Sequence, residues 1–170
     1  MSDRSTFWPS PPDWAIARID APGLSITAGH ADQSVWLLSG PAVAVAGLVK
    51  AAGAGEATVL PVAPDRVFLI AGQGHGLNEG WHPSGVAISD MSQAHVRIDI
   101  RGPGTGALLS TGSPSLALDP APRAAMVGFA GVPLLVQQLA DGVRLHVEHS
   151  LAPHLWHWLC AACHNAKDHP

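Results

Sequence analysis

Apolar and polar residues alternate most clearly between Ala94 and Arg101, where Val96, Ile98 and Ile100 share one face and Arg97, Asp99 and Arg101 the other. A period of two marks a half-buried strand. Shorter runs at 24–27, 34–38, 58–62, 66–71, 124–129, 134–139 and 143–147 read the same way. Turns at Pro64-Asp65, Gly131-Val132-Pro133 and Asp141-Gly142 separate several of them. The stretch 72–85 reads as loop and irregular chain, and Asp90 to Ser92 as an Asx turn entering the long strand. Two segments change period. Gly40-Pro41 opens a small-residue helix to about Ala52, and Gly102-Pro103 opens a second through Leu108-Leu109, stopped by Gly112 and Pro114. A last helix runs from a Ser150 cap to about Cys163. Its Leu151, Leu155, Trp158, Leu159 and Ala162 form an apolar stripe at helical spacing. Trp156 falls off that stripe, so it is expected to face outward beside His157 as a subunit-interface aromatic.

Strand, Gly-Pro, helix, strands thus occurs twice, 62 residues apart at Gly40 and Gly102. The expectation is an α+β domain over 23–170, built of two similar small antiparallel-sheet-plus-helix units (about 23–85 and 86–170) and closed by a C-terminal helix. Short helices between antiparallel strands argue against a doubly wound sheet. Ahead of it, residues 1–22 carry Pro9, Pro11 and Pro12 between Trp8 and Trp14. Proline fixes φ and donates no ladder bond, so this reads as an extended arm laid over a surface, too proline-rich to join a sheet. Both tryptophans join Trp156 and His157 as interface candidates.

Composition narrows the function. The chain has 170 residues, 47% apolar and 13% charged, with a formal net charge of −4. That excludes disorder, and the basic residues form no stripe for nucleic acid. No apolar run approaches the roughly 18 residues of a membrane span. Polar residues and prolines occupy the N-terminus where a signal peptide has its apolar stretch. A cytoplasmic location is expected.

Chemistry is sparse. Cys160-Ala161-Ala162-Cys163-His164 has the spacing of c-type haem attachment. With His157 or His169 it could also serve zinc. The missing export signal and the six residues left after His164 favour plain thiols, leaving Cys160, Cys163 and His164 as minor metal candidates. Gly102-Pro103-Gly104-Thr105-Gly106-Ala107 fits G-x-G-x-x-A, but its helix is too short for a dinucleotide fold. The other histidines are scattered, and no catalytic constellation stands out.

The stretch from Ile88-Ser89-Asp90-Met91-Ser92 through Ile100-Arg101-Gly102-Pro103, continued by Ala107-Leu108-Leu109, resembles the signature of glycine-cleavage T-protein-like chains. Leu118-Asp119-Pro120 and the closing Ser150-Leu151-Ala152-Pro153-His154-Leu155-Trp156-His157-Trp158-Leu159 are similar to the gamma-subunit family of heterotetrameric sarcosine oxidases. The resemblance covers the second half well and the first half in its order of elements. It implies a T-protein-like fold and a non-catalytic packing subunit, with no cofactor on this chain, in a complex that oxidatively demethylates sarcosine or a related N-methyl amine. The implied partners are alpha, beta and delta subunits: flavins and the amine site in beta, with FMN at its interface with alpha, and NAD and tetrahydrofolate sites in alpha. Zinc belongs to delta, and FAD completes the implied set. Two alternatives are a stand-alone folate-binding T-protein-like protein and a small haem or zinc protein built on the terminal helix. The Cys-x-x-Cys-His and the proline-rich arm are departures from the family pattern.

Overall fold

The computed structural model describes residues 10–29, 34–51, 57–71, 76–113 and 124–168. The first strands are β1 (Arg18–Ala21), β2 (Leu24–Gly29) and β3 (Ser34–Ser39), followed by helix α1 (Ala42–Ala51). Next come β4 (Thr58–Ala63), β5 (Arg66–Ala71), β6 (Gly80–His82), β7 (Val86–Asp90) and β8 (His95–Arg101). Helix α2 (Thr105–Gly112) leads to β9 (Ala124–Phe129), β10 (Val132–Leu139) and β11 (Gly142–Glu148), and α3 (Ala152–Asp168) closes the chain. The fold is α+β. One antiparallel sheet has the order β1-β2-β8-β11-β10-β9, the other β4-β5-β3-β7-β6. No helix is long and apolar enough to cross a membrane, among the described residues.

Several local expectations change. Arg18–Ala21, within the segment expected to lie over a surface without joining a sheet, is a strand. It pairs with β2 from Arg18↔Thr27 to Ala21↔Leu24, because no proline falls between Pro12 and Pro22 and the chain from Ala17 to Ala21 alternates apolar with charged residues. Within the stretch read as irregular, β6 pairs with β7 as an edge hairpin; three residues are too few to show a period. The hairpin turns are two residues long, with Phe129 opposite Val132 and Leu139 opposite Gly142, so Val132 and Pro133 belong to a strand. Helix α3 begins at Ala152 with the Leu151 carbonyl accepting from the Leu155 amide, so Leu151 and not Ser150 is at the cap, and the Ser150 hydroxyl donates to Glu148 at 3.2 Å. The Asx turn is present, with the Ser92 amide donating to Asp90 Oδ1 at 2.9 Å. Trp8 and Leu118-Asp119-Pro120 lie outside the described residues.

The sheets do not follow chain order. Hairpin β1–β2 lies against β8, with Ile26 opposite Ile100, while hairpin β6–β7 lies against β3, with Ile88 opposite Leu38. Both pairings repeat at the 62-residue offset that separates Gly40 from Gly102. The Gly40 amide donates to the Asp65 carbonyl at 2.9 Å, and the Gly102 amide to the Asp141 carbonyl at 3.2 Å. A Cβ on Gly40 would lie 2.7 Å from the Gly85 carbonyl oxygen, and one on Gly102 would collide with the Gly23 carbonyl oxygen. Each hairpin is therefore exchanged into the other sheet, across a backbone contact that admits only glycine.

Helices cover one face of each sheet. Against the large sheet, α2, α3 and Trp14 bury Ile26, Ile98, Ile100, Leu134, Leu145 and Leu155. Against the small one, α1 buries Leu38, Leu69 and Ile88. The opposite faces meet through Val35, Leu60, Phe68 and Ile70 from the small sheet and only Ala124 and Leu135 among buried residues of the large one. Burial of this kind is worth roughly 25 cal/mol per Å².

Gly102 combines φ of +108° with the Gly23 contact, whereas Gly106 in α2 has open space where a Cβ would be. Gly102→Ala is expected to destabilise the chain by about 2 kcal/mol or more. Gly106→Ala is expected to stabilise it by roughly 0.5–1 kcal/mol. Urea unfolding of the two variants beside wild type checks both.

Candidate functional site

On α3 the Cys-x-x-Cys-His residues point different ways. Cys163 is 2% exposed and sits in the core of the large sheet, while Cys160 and His164 are at the surface. Positions three apart on a helix differ by about 60°, enough to turn one sulfur inward and leave the other out. Partial burial pushes the Cys160 thiol up from its ordinary pKa, away from thiolate character. Among the described residues no three His, Cys, Asp or Glu side chains come together as metal ligands. Between α2 and α3 runs an open apolar groove of about 620 Å³, walled by Leu24, Leu108, Thr111, Trp158 and Ala162.

The tryptophans are placed differently from the sequence expectation. Trp156 is 7% exposed and meets Trp14, 5% exposed, edge to face at 6.0 Å and 88°. A turn delivers Trp14: the Ile16 amide donates to the Asp13 carbonyl at 3.1 Å, and the Ala15 amide to the Asp13 carboxylate at 3.0 Å. The helix therefore has two covered faces, one on the sheet and one under the N-terminal segment, and Trp156 fills the second. Its expected outward orientation is corrected. His157 does face outward, its Nδ1–H donating to the Pro153 carbonyl at 2.7 Å. Trp81 on β6, which the sequence did not single out, is 73% exposed.

A charged cluster forms on the other face of the large sheet. The alternation of β8 already put Arg97, Asp99 and Arg101 together; the register adds Arg144 opposite Asp99 and His146 opposite Arg97. Arg144 donates to both Asp99 oxygens, at 2.7 and 2.9 Å. Arg101 Nη2 lies 3.6 Å and Arg97 Nε 3.8 Å from the same carboxylate. Burial pulls the Asp99 carboxyl upward, but the hydrogen bonds and charge of Arg144, with Arg97 and Arg101, hold it below its ordinary pKa. Burial foremost, then the Arg144 charge, lowers His146 to about 3, so it is neutral at pH 7 and shares a 3.3 Å contact with Gln137. Nearby His95 is lowered by burial as well, its ring against Phe68 at 5.0 Å. A carboxylate held down by three guanidiniums is a weak base. The cluster can fix strands and present positive charge.

These residues set an acid dependence. A histidine lowered in the fold supports stability above its unfolded pKa near 6.5 and loses that support as pH falls toward 3. A lowered aspartate does so above about 4 and loses it below. His146→Gln is expected to flatten the fall in thermal midpoint between about pH 6.5 and 3. Asp99→Asn strands the arginines and is expected to cost about 3 kcal/mol at pH 7. Trp156→Ala is expected to cost about 3–5 kcal/mol, and His157→Ala less than about 0.5; denaturant titration of each variant reads these values.

Neither a family model nor a curated protein sequence matches the chain. Among solved structures, it is similar to a chain of the heterotetrameric sarcosine oxidase from Corynebacterium sp. U-96, solved with pyrrole 2-carboxylate. The TM-score is 0.67 at 20% identity, over 83% of this chain and 85% of that one. A looser likeness, to the aspartate kinase of Clostridium acetobutylicum, has a TM-score of 0.45 at 10% identity over 87% of this chain and 36% of that one, and carries no argument. The chain shares the fold of a chain of that sarcosine oxidase.

Proposed function

We propose that this chain is a non-catalytic, gamma-type subunit of a multi-subunit flavin enzyme that oxidatively demethylates sarcosine or a related N-methyl amine in the cytoplasm. The observation that carries the reading is a fold likeness spanning most of both chains, 83% and 85%, with a chain of a heterotetrameric oxidase. The sequence resemblance supports it independently: Ile88 to Pro103 covers β7 and β8 with the Gly-Pro turn, and Leu155 to Leu159 lies within α3. In this reading the two half-units are T-protein-like. Alpha-, beta- and delta-type chains are the partners and hold FAD, FMN, NAD, tetrahydrofolate and zinc. This chain's part is structural, offering rigid sheet faces to its neighbours.

Co-expression with flavoprotein chains of a sarcosine oxidase tests the reading. The isolated chain is expected to be colourless and inactive on N-methyl amines, and to co-purify with the flavin-bearing chains in fixed ratio. A stoichiometric flavin or Soret band on the chain alone, or failure to join any such complex, overturns it.

A further inference from the structure

On the helix-free face of the large sheet, four of the chain's nine basic residues stand together. Arg18, Thr27, Asp99, Arg144 and Gln137 form one cross-strand row. Gly29, Arg97 and His146 lie on one side of it, and Ser25 and Arg101 on the other. Side chains in such rows share a face. Among the described residues three carboxylates answer the four guanidiniums. Arg18 is matched by Asp20 at 2.6 and 2.9 Å, Arg144 by Asp99 as described, and Arg101 by Asp141. Arg97 is left over: its Nε is 3.8 Å from Asp99 Oδ1, the oxygen that Arg144 already holds, and it has no closer acceptor among the described residues. Its fork lies over β2 at Gly29, where Nη2 is 3.7 Å from the point a Cβ would take. The side chain remains 27% exposed, and that of Arg101 44%. The contact between the sheets runs along the β9–β10 side and reaches β8 at His95, whose ring meets Phe68, and it leaves the Arg97 and Arg101 side chains this accessible.

We propose that this face docks an acidic segment of a partner protein, whose carboxylates pair with Arg97 and Arg101. The inference rests on the reading of the chain as a subunit of an assembly. Charge complementarity selects the occupant. Among the described residues the surplus group is a guanidinium, and its planar fork matches a carboxylate in bidentate geometry. The chain as a whole has a net charge of −4, so an acidic partner is repelled elsewhere and registers on this face.

Fluorescence anisotropy of a labelled oligo-glutamate peptide on the full chain at low ionic strength tests the surface. The double variant Arg97→Gln/Arg101→Gln is expected to weaken binding about tenfold. Arg97→Lys keeps the charge and most of the binding. Lys50→Gln on α1 and Arg66→Gln on β5 leave it unchanged. Arg101→Gln alone, at an exposed position, is expected to weaken it about threefold, which decides the matter even where the double variant does not fold. No binding by wild type, an equal loss in Lys50→Gln, or tighter binding of an oligonucleotide of the same charge overturns the proposal. Assembly with flavin-bearing chains is measured in parallel. A complex that forms equally well with the folded double variant overturns the docking face and leaves the subunit reading standing. A wild-type chain that binds the peptide but joins no flavoprotein keeps the face and overturns the subunit reading.

Discussion

Where β2 lies against β8, the carbonyl of Gly23 comes so near Gly102 that only hydrogen fits on that α-carbon, and the same carbonyl accepts the Gly104 amide at 3.1 Å. The six-stranded sheet is continuous only because this gap closes. Its helix-side face is then one aliphatic floor for α2 and α3, with Ile26 opposite Ile100. Its other face carries Asp99 into the reach of Arg144, on a strand that comes 45 residues later. The equivalent contact at Gly40 and Gly85 does the same for the small sheet.

One register serves two opposed chemistries. Along β8 the even positions are sealed under helices and Arg97, Asp99 and Arg101 at odd positions hold charge. A slip of one residue would put arginines under α3 and isoleucines against Arg144, so the pairing is strongly specified. The Arg144–Asp99 bidentate pair adds directional specificity to what hydrophobic burial alone leaves non-directional. The cost of holding a carboxylate in a buried place is offset by three guanidiniums around it, and the neutral state of His146 spares that place a further charge.

The local elements were legible because local periods made them. The β8 alternation, both Gly-Pro helix starts and the stripe on α3 follow from spacing alone. The Gly40–Gly102 offset was visible too, but not that the hairpins trade sheets, since no short-range feature of residues 18–29 names a partner some seventy positions away. The same blindness governed the site. Arg97, Asp99 and Arg101 could be placed on one face; that Arg144 and His146 join them depends on the register of β11 against β8. Trp156 was misplaced because a helical wheel counts one covered face, and the second is supplied by Trp14 from the far end of the chain. Trp81 was passed over because its strand is only three residues long.

The exchanged hairpins also dictate an order of events at the ribosome. Hairpin β1–β2 emerges first, yet its neighbour β8 is complete only at Arg101, and β3 waits for β7 until Asp90. Over that interval the β1–β2 hairpin keeps an open edge, and such edges recruit other chains. Helix α3 then closes over Trp14. The small sheet and α1, all within residues 34–90, can form before β8 is made, whereas the large sheet joins strands from both sides of them and forms later.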